Sequence, residues 1–356
     1  MSATQSMVAD EVYTALAKPA VTQFDPLFSD LLHDISQRLR IVFGTQDHET
    51  MALYGIGTQS IEQCLYNILE PQESILVLVN GIHGQHICDL ATRLGYDVDT
   101  VSVPWGQPIL PENVQPLLER KRYALVAVAH AESSTGVTSP MTGLGHLVRG
   151  AGALFMVDCV ASLGGIPVSL DAWHADVALS VPHRCLSCPS GLGIVSLSQN
   201  AVKHLEKRHP HLHGSQQSLL SLLHQWRNPQ SSILMTPPVN LLYALNAALN
   251  SLLNEELHNV FLRHRSVQKQ MVEGMTDLGL QCYVGSAWRL PMVTVFQLPD
   301  SLPLSTVRTA LLHDHSIDIR DSLGVKGQYL RVGHMGHTAR SSNVARFCDA
   351  MKSIVG

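Results

Sequence analysis

Residues Ala153 to Gly165 read ALFMVDCVASLGG: an apolar run of strand length, a carboxylate at Asp158, then small residues and a glycine pair. A carboxylate set directly after a buried strand is costly to leave unpaired, so Asp158 wants a cationic partner or a protonated ring. Outward from it, SILVLVN (Ser74 to Asn80), Tyr96 to Val103 and YALVAVAHA (Tyr123 to Ala131) share the apolar texture. Between and before these runs lie segments with helical spacing, such as FSDLLHDISQRLRIVF (Phe28 to Phe43) and SIEQCLYNIL (Ser60 to Leu69). Near-continuous Val/Leu/Ile strands alternating with helices predict a mostly parallel sheet covered on both faces. That is a doubly wound α/β domain, whose ligands sit at the C-terminal ends of the strands.

From Pro237 the texture changes. Val239 to Gly279 reads as one long helical stretch with room for a single break. Strand candidates follow (Thr294 to Leu298, SIDIRD from Ser316, QYLRVG from Gln328), then a last helix near Ser341 to Ile354. The expected division is a large α/β domain over 1–238 and a smaller α+β domain over 239–356.

The chain has 356 residues, 45% of them hydrophobic and 15% charged, which supports a substantial core rather than disorder. Net charge is −5 without runs of like charge, so no nucleic-acid or anionic-membrane surface is expected. Seven irregularly spaced cysteines read as free thiols. Cys185 and Cys188 form a lone CxxC, too few ligands for a zinc site, so no metal is expected. MSATQSMVADEV has no basic start or apolar h-region, and no apolar run reaches the ~18 residues of a membrane span. These features predict a soluble, cytoplasmic protein.

Several loops after strands carry chemistry. GIGTQ (Gly55 to Gln59) opens a helix, where backbone N–H groups and the Thr58 hydroxyl can hold a phosphate. His83 lies between glycines in GIHGQH, and ESSTGV (Glu132 to Val137) clusters small hydroxyls at a strand end, as a cap would. Arg331, before VGHMG, can fork onto a carboxylate or pair with a structural acid. SVPHRCLSCPSGLG (Ser180 to Gly193) is a polar loop between two short strands, expected at a sheet edge, with Arg184 at its centre.

The stretches NGIHGQH, HAESSTGV, VDCVASLGGIPVSLDAWHADVALS and YLRVGHMG, in this order, resemble the class V aminotransferases over nearly the whole chain. The alanine–glyoxylate and serine–glyoxylate group is the nearest likeness. The resemblance implies a PLP-dependent transferase of fold type I, with a seven-stranded large-domain sheet, a smaller C-terminal α+β domain and a homodimer. It implies pyridoxal 5'-phosphate (PLP) or pyridoxamine 5'-phosphate (PMP) as cofactor, and a small amino acid or 2-keto acid as substrate. In its terms Asp158 faces the protonated pyridine nitrogen, Val160 packs on one ring face and His83 stacks on the other. Ser133 lies beside the ring, Gly57 and Thr58 hold the phosphate, and Thr236 reaches the neighbouring subunit's phosphate. Arg331 grips the substrate carboxylate.

The sequence also departs from that pattern. Arg184 stands where the family carries the lysine that forms the Schiff base. Arginine stays protonated and delocalised at neutral pH, so it can form neither the imine nor the proton shuttle of transamination. Lys203 and Lys207 lie beyond the next strand. Ile56 replaces a phosphate-binding Ser, His183 replaces a polar amide, and ATQSM (Ala3 to Met7) replaces a Gly-Pro loop. Three readings follow. The first is an enzyme holding PLP or PMP non-covalently, with Arg184 and His183 in the catalytic positions. The second is a cofactor-free binding or regulatory subunit, for instance paired with an active paralogue. The third is cofactor-free acid–base chemistry by His183, His130, Cys185 or His334.

Overall fold

The computed structural model describes residues 1–2, 4–55, 57–207, 218–230, 236–321, 324–325 and 327–355. Its strands are β1 (Glu49–Tyr54), β2 (Ser74–Val79), β3 (Asp97–Ser102), β4 (Leu125–Ala129), β5 (Ala131–Glu132), β6 (Val137–Thr138), β7 (Leu154–Asp158), β8 (Val177–Ser180) and β9 (Leu192–Leu197), followed by β10 (Gln281–Cys282), β11 (Val293–Gln297), β12 (Arg320–Asp321) and β13 (Tyr329–Gly333).

Seven of these form one sheet in the order β1–β9–β8–β7–β4–β2–β3. Every pairing is parallel except those of β9, which runs antiparallel to both β1 and β8. The C-terminal ends of β1, β2, β4, β7 and β8 therefore open on one rim. In the β4–β7 register Ala129 lies opposite Asp158, which puts the carboxylate at that rim.

One expectation needs correcting. The Ser180–Gly193 loop is not at a sheet edge: it joins β8 to β9, both interior strands, and the edges are β1 and β3. An antiparallel neighbour needs only a hairpin-type connection, so β9 turns straight back and inserts between β8 and β1. The loop crowns the rim instead. The SIDIRD strand is also shorter than expected, reduced to Arg320–Asp321. Its first residue, Ser316, is left-handed (φ 53°) and caps the helix Leu304–His315.

The helix Pro26–Phe43 shows why such segments are helical. Asp25 caps it by accepting from the Leu27 N–H at 2.9 Å, and Gly44 ends it in the left-handed conformation. Its buried residues Phe28, Leu31, Leu32, Ile35, Leu39 and Val42 form one stripe; burying each such side chain contributes roughly 1.5–3 kcal/mol. The long helical stretch breaks once, into Val239–Asn254 and Leu257–Asp277, at Glu256 (φ 65°). Leu242, Leu245 and Leu249 of the first helix join the large apolar cluster around the seven-stranded sheet. Val267, Met271 and Met275 of the second belong to a smaller cluster with the antiparallel sheet β10–β11–β13–β12. A third cluster, including Ala161, Cys185, Met292 and Met335, lies between rim loops and the smaller sheet. Among the described residues no helix is long and apolar enough to cross a membrane.

Candidate functional site

The rim gathers most of the residues singled out in the sequence around one carboxylate whose part there the sequence did not reveal, Glu132. It is fully buried just after β4 and accepts from the Ser134 N–H (2.9 Å) and hydroxyl (2.6 Å) and from the His83 N–H (2.9 Å). Glu132 thus ties the turn after β4 to the start of the helix Ile82–Arg93. Gly81 is required at that contact: a Cβ there would lie 2.2 Å from the Glu132 side chain.

His83 comes to the rim from that helix. Its Nε2 lies 3.0 Å from the Ser133 hydroxyl and 3.8 Å from a Glu132 carboxylate oxygen. Asp158, 4% exposed, accepts from the Val160 N–H at 2.7 Å. Burial raises its pKa, against the opposing pull of the His83 charge and the Val160 bond. Val160 itself is half-buried.

Two buried arginines approach the same group of residues. Arg331 is 1% exposed on β13, opposite Val295 of β11, and its Nη1 donates to the Ser133 carbonyl at 3.3 Å. Its Nε has no hydrogen-bond partner. Burial, then the neighbouring Arg184, lowers its pKa to about 10, so it remains a cation at neutral pH. Arg184 is 8% exposed. Burial lowers its pKa too, opposed by Cys185, Asp158 and Glu132. Next to it, burial and the Arg184 charge push half-buried His183 down to about 4, so its ring is neutral, and its Nδ1 has no partner.

Other predicted residues are less central. Gly57 and Thr58 begin the helix Gly57–Ile68 after β1; Thr58 is exposed, with its hydroxyl 3.3 Å from His86 Nε2. Thr236 is exposed just before the helix Val239–Asn254. Ile56 and Ala3 lie outside the described residues. The further acid–base candidates are deeply buried. His130 packs edge-on against Trp173 with its pKa down to about 3, His334 is likewise down to about 3, and Cys185 is a thiol pushed up to about 12 by burial. Among the described residues no group of three or more His, Cys, Asp or Glu side chains is arranged to hold a metal ion.

Lys203 and Lys207 are placed away from this group. The reversed strand β9 delivers the chain to the opposite end of the sheet, where the helix Gln199–Lys207 carries Lys203 and Lys207. Both are exposed, and His204 between them lies 2.8 Å from the Ile68 carbonyl. Lys326 lies outside the described residues.

The model of the family described as aminotransferase class-V matches residues 7–354. The chain belongs to the class-V aminotransferase family. It is 31% identical over 327 residues to alanine–glyoxylate aminotransferase of Oryctolagus cuniculus, covering 90% of this chain and 83% of that one. It is 28% identical over 366 residues to (S)-ureidoglycine–glyoxylate transaminase of Bacillus subtilis, covering 98% and 88%. The solved alanine–glyoxylate aminotransferase of Nostoc sp. superposes with a TM-score of 0.96 at 34% identity, covering 100% of this chain and 94% of that one. The fold of this class-V member is accordingly that of the PLP-dependent transferases of fold type I, as its sequence resemblance implied.

Proposed function

We propose that this chain binds PLP or PMP without a covalent bond and acts on the amino group of a small amino acid or on a 2-keto acid of the glyoxylate type. The observation that carries this reading is the buried Asp158 carboxyl at a strand end, within reach of the His83 charge, with His83 and Arg331 both meeting Ser133. Burial penalises the ionised Asp158 carboxylate, and a protonated ring nitrogen would supply the counter-charge that offsets this, while the unpartnered Arg331 Nε suits an anion. The residues fit the cofactor. When bound, it supplies an electron-withdrawing ring to the reacting carbon.

The chain's own residues divide the remaining work. Asp158 would hold a proton on the ring nitrogen, its own charge in turn offset by that cation. His83, oriented by Ser133, and Val160 would pack on the ring; Gly57 and Thr58 would hold the phosphate, joined by Thr236 from a second subunit. This arrangement needs a homodimer. Arg331 forks onto the substrate carboxylate, which fixes the amino group or keto carbon over the site. Arg184 occupies the lysine's place and offers a fixed cation to an anionic group. It cannot give up a proton near neutral pH, so proton movement falls to the neutral ring of His183.

The reading is tested by equilibrium dialysis of the full chain against PLP and PMP, followed by addition of glyoxylate to the PMP complex and assay for glycine. Reversible retention of the cofactor with weak glycine formation is expected. Failure to retain either form at millimolar concentration would overturn the reading in favour of a cofactor-free subunit.

A further inference from the structure

Arg184, taken as a site residue on the function proposed above, is held in place by the N-terminal segment. The Ser6 N–H donates to the His183 carbonyl at 3.1 Å. The Ser6 hydroxyl lies 2.6 Å from the Arg184 carbonyl and 3.2 Å from the Ser187 hydroxyl. The Ser187 oxygen accepts from the His337 N–H at 2.7 Å. Each hydroxyl has one proton, and the Arg184 carbonyl can only accept. The single Ser6 proton therefore serves the Arg184 carbonyl or the Ser187 oxygen, and the Ser187 oxygen also accepts from the His337 N–H, so three segments meet at these two hydroxyls.

Two further features show that this junction is tightly fitted. Ser187 is left-handed (φ 58°), a conformation costly for a residue with a Cβ. Gly336 (φ +57°) approaches so closely that a Cβ would lie 3.1 Å from the Arg184 carbonyl and 2.9 Å from that of Cys185. The 336–339 loop is held in turn by Arg263, whose Nη1 donates to the Gly336 and Ala339 carbonyls while its other nitrogens grip Glu255. This loop follows β13, which carries Arg331.

We propose that Ser6 and Ser187 are positioning residues, which lock the Arg184 turn onto the segment that follows Arg331 and so fix the two guanidinium groups relative to each other. The N-terminal segment is thereby a working part of the site.

The test is labelling of the full chain with phenylglyoxal, which modifies arginine, with each site quantified by peptide mass mapping. Ser6→Ala, Ser6→Val and Ser187→Gly should each speed labelling of Arg184 at least threefold and leave that of Arg331 unchanged. Ser6→Thr, which keeps the hydroxyl, should label like the wild type. Ser187→Gly removes the hydroxyl at a residue type that accepts the left-handed backbone, so no strain is added there. The Ser6→Ala/Ser187→Gly double variant should label no faster than the faster single variant. Unchanged Arg184 labelling in Ser6→Ala and Ser187→Gly, or an equal rise at Arg331, would overturn the proposal. PLP dialysis run in parallel judges the cofactor reading separately, because the labelling needs no cofactor.

Discussion

His83 and Ser133 meet side chain to side chain, Nε2 to hydroxyl, at 3.0 Å, although they follow different strands of the sheet. The same serine accepts from Arg331 through its main-chain carbonyl. One residue thus sets both the imidazole proposed to cover the ring and the guanidinium proposed to hold the substrate.

Removing only the hydroxyl separates those two roles. In Ser133→Ala the carbonyl bond to Arg331 survives while His83 loses its partner. PLP affinity, measured by dialysis, should fall by about 0.5–1.5 kcal/mol, the usual net worth of one hydrogen bond. Substrate-carboxylate affinity should change less. An unaltered PLP affinity would remove Ser133 and the orientation of His83 from the account.

Arg331→Ala should weaken binding of a 2-keto acid by about 2–4 kcal/mol, since a fully buried, charge-assisted pair is lost. Arg331→Lys should recover only part of this, because an ammonium lacks the planar fork. Titration calorimetry with glyoxylate reads both. Equal affinities in all three proteins would make Arg331 structural, a strut on the Ser133 carbonyl.

How much of this was legible in the sequence depends on whether a signal is local. ALFMVD announced both a buried strand and its rim carboxylate, because five apolar residues and an acid are adjacent. The long helical stretch after Pro237 and its single break were likewise visible in periodicity. Glu132 was read with a cluster of hydroxyls that a strand cap explains as well. Its partners, His83 and Gly84, lie 49 and 48 residues away, so only the fold reveals it as the hub. The placement of the Arg184 loop is illegible for a related reason. The strand that shields it from the edge is β1, contributed from far upstream, and adjacent residues cannot show which strand pairs beyond β9. Ser6 shows in the sequence only as one of five residues of a replaced loop, because its partners are 177 and 178 residues away.

Acid should destabilise the fold through its buried histidines. His130 is neutral in the folded chain, with a pKa near about 3, but titrates near ~6.5 when unfolded. Between those values the unfolded chain binds more protons, so stability falls as pH drops below about 6.5. His334, His264 and His183 carry the same sign. Asp158, raised by burial, works in the opposite sense above its unfolded pKa. His130→Phe keeps an aromatic ring on Trp173 and removes the titration. Urea unfolding between pH 6.5 and 5 should then show a shallower pH dependence, by up to about 1.4 kcal/mol per pH unit. An unchanged slope would mean that His130 already titrates normally in the folded protein.

The central claim is that the chain holds its cofactor without a covalent bond because position 184 carries an arginine. The most direct measurement incubates the wild type and Arg184→Lys with PLP, reduces both with borohydride, and maps phosphopyridoxyl groups by peptide mass. The account predicts no fixed group in the wild-type site, cofactor lost on dialysis, and a label on residue 184 of the variant. A phosphopyridoxyl group fixed stoichiometrically in the wild type, at position 184 or at any lysine including Lys326, would contradict it.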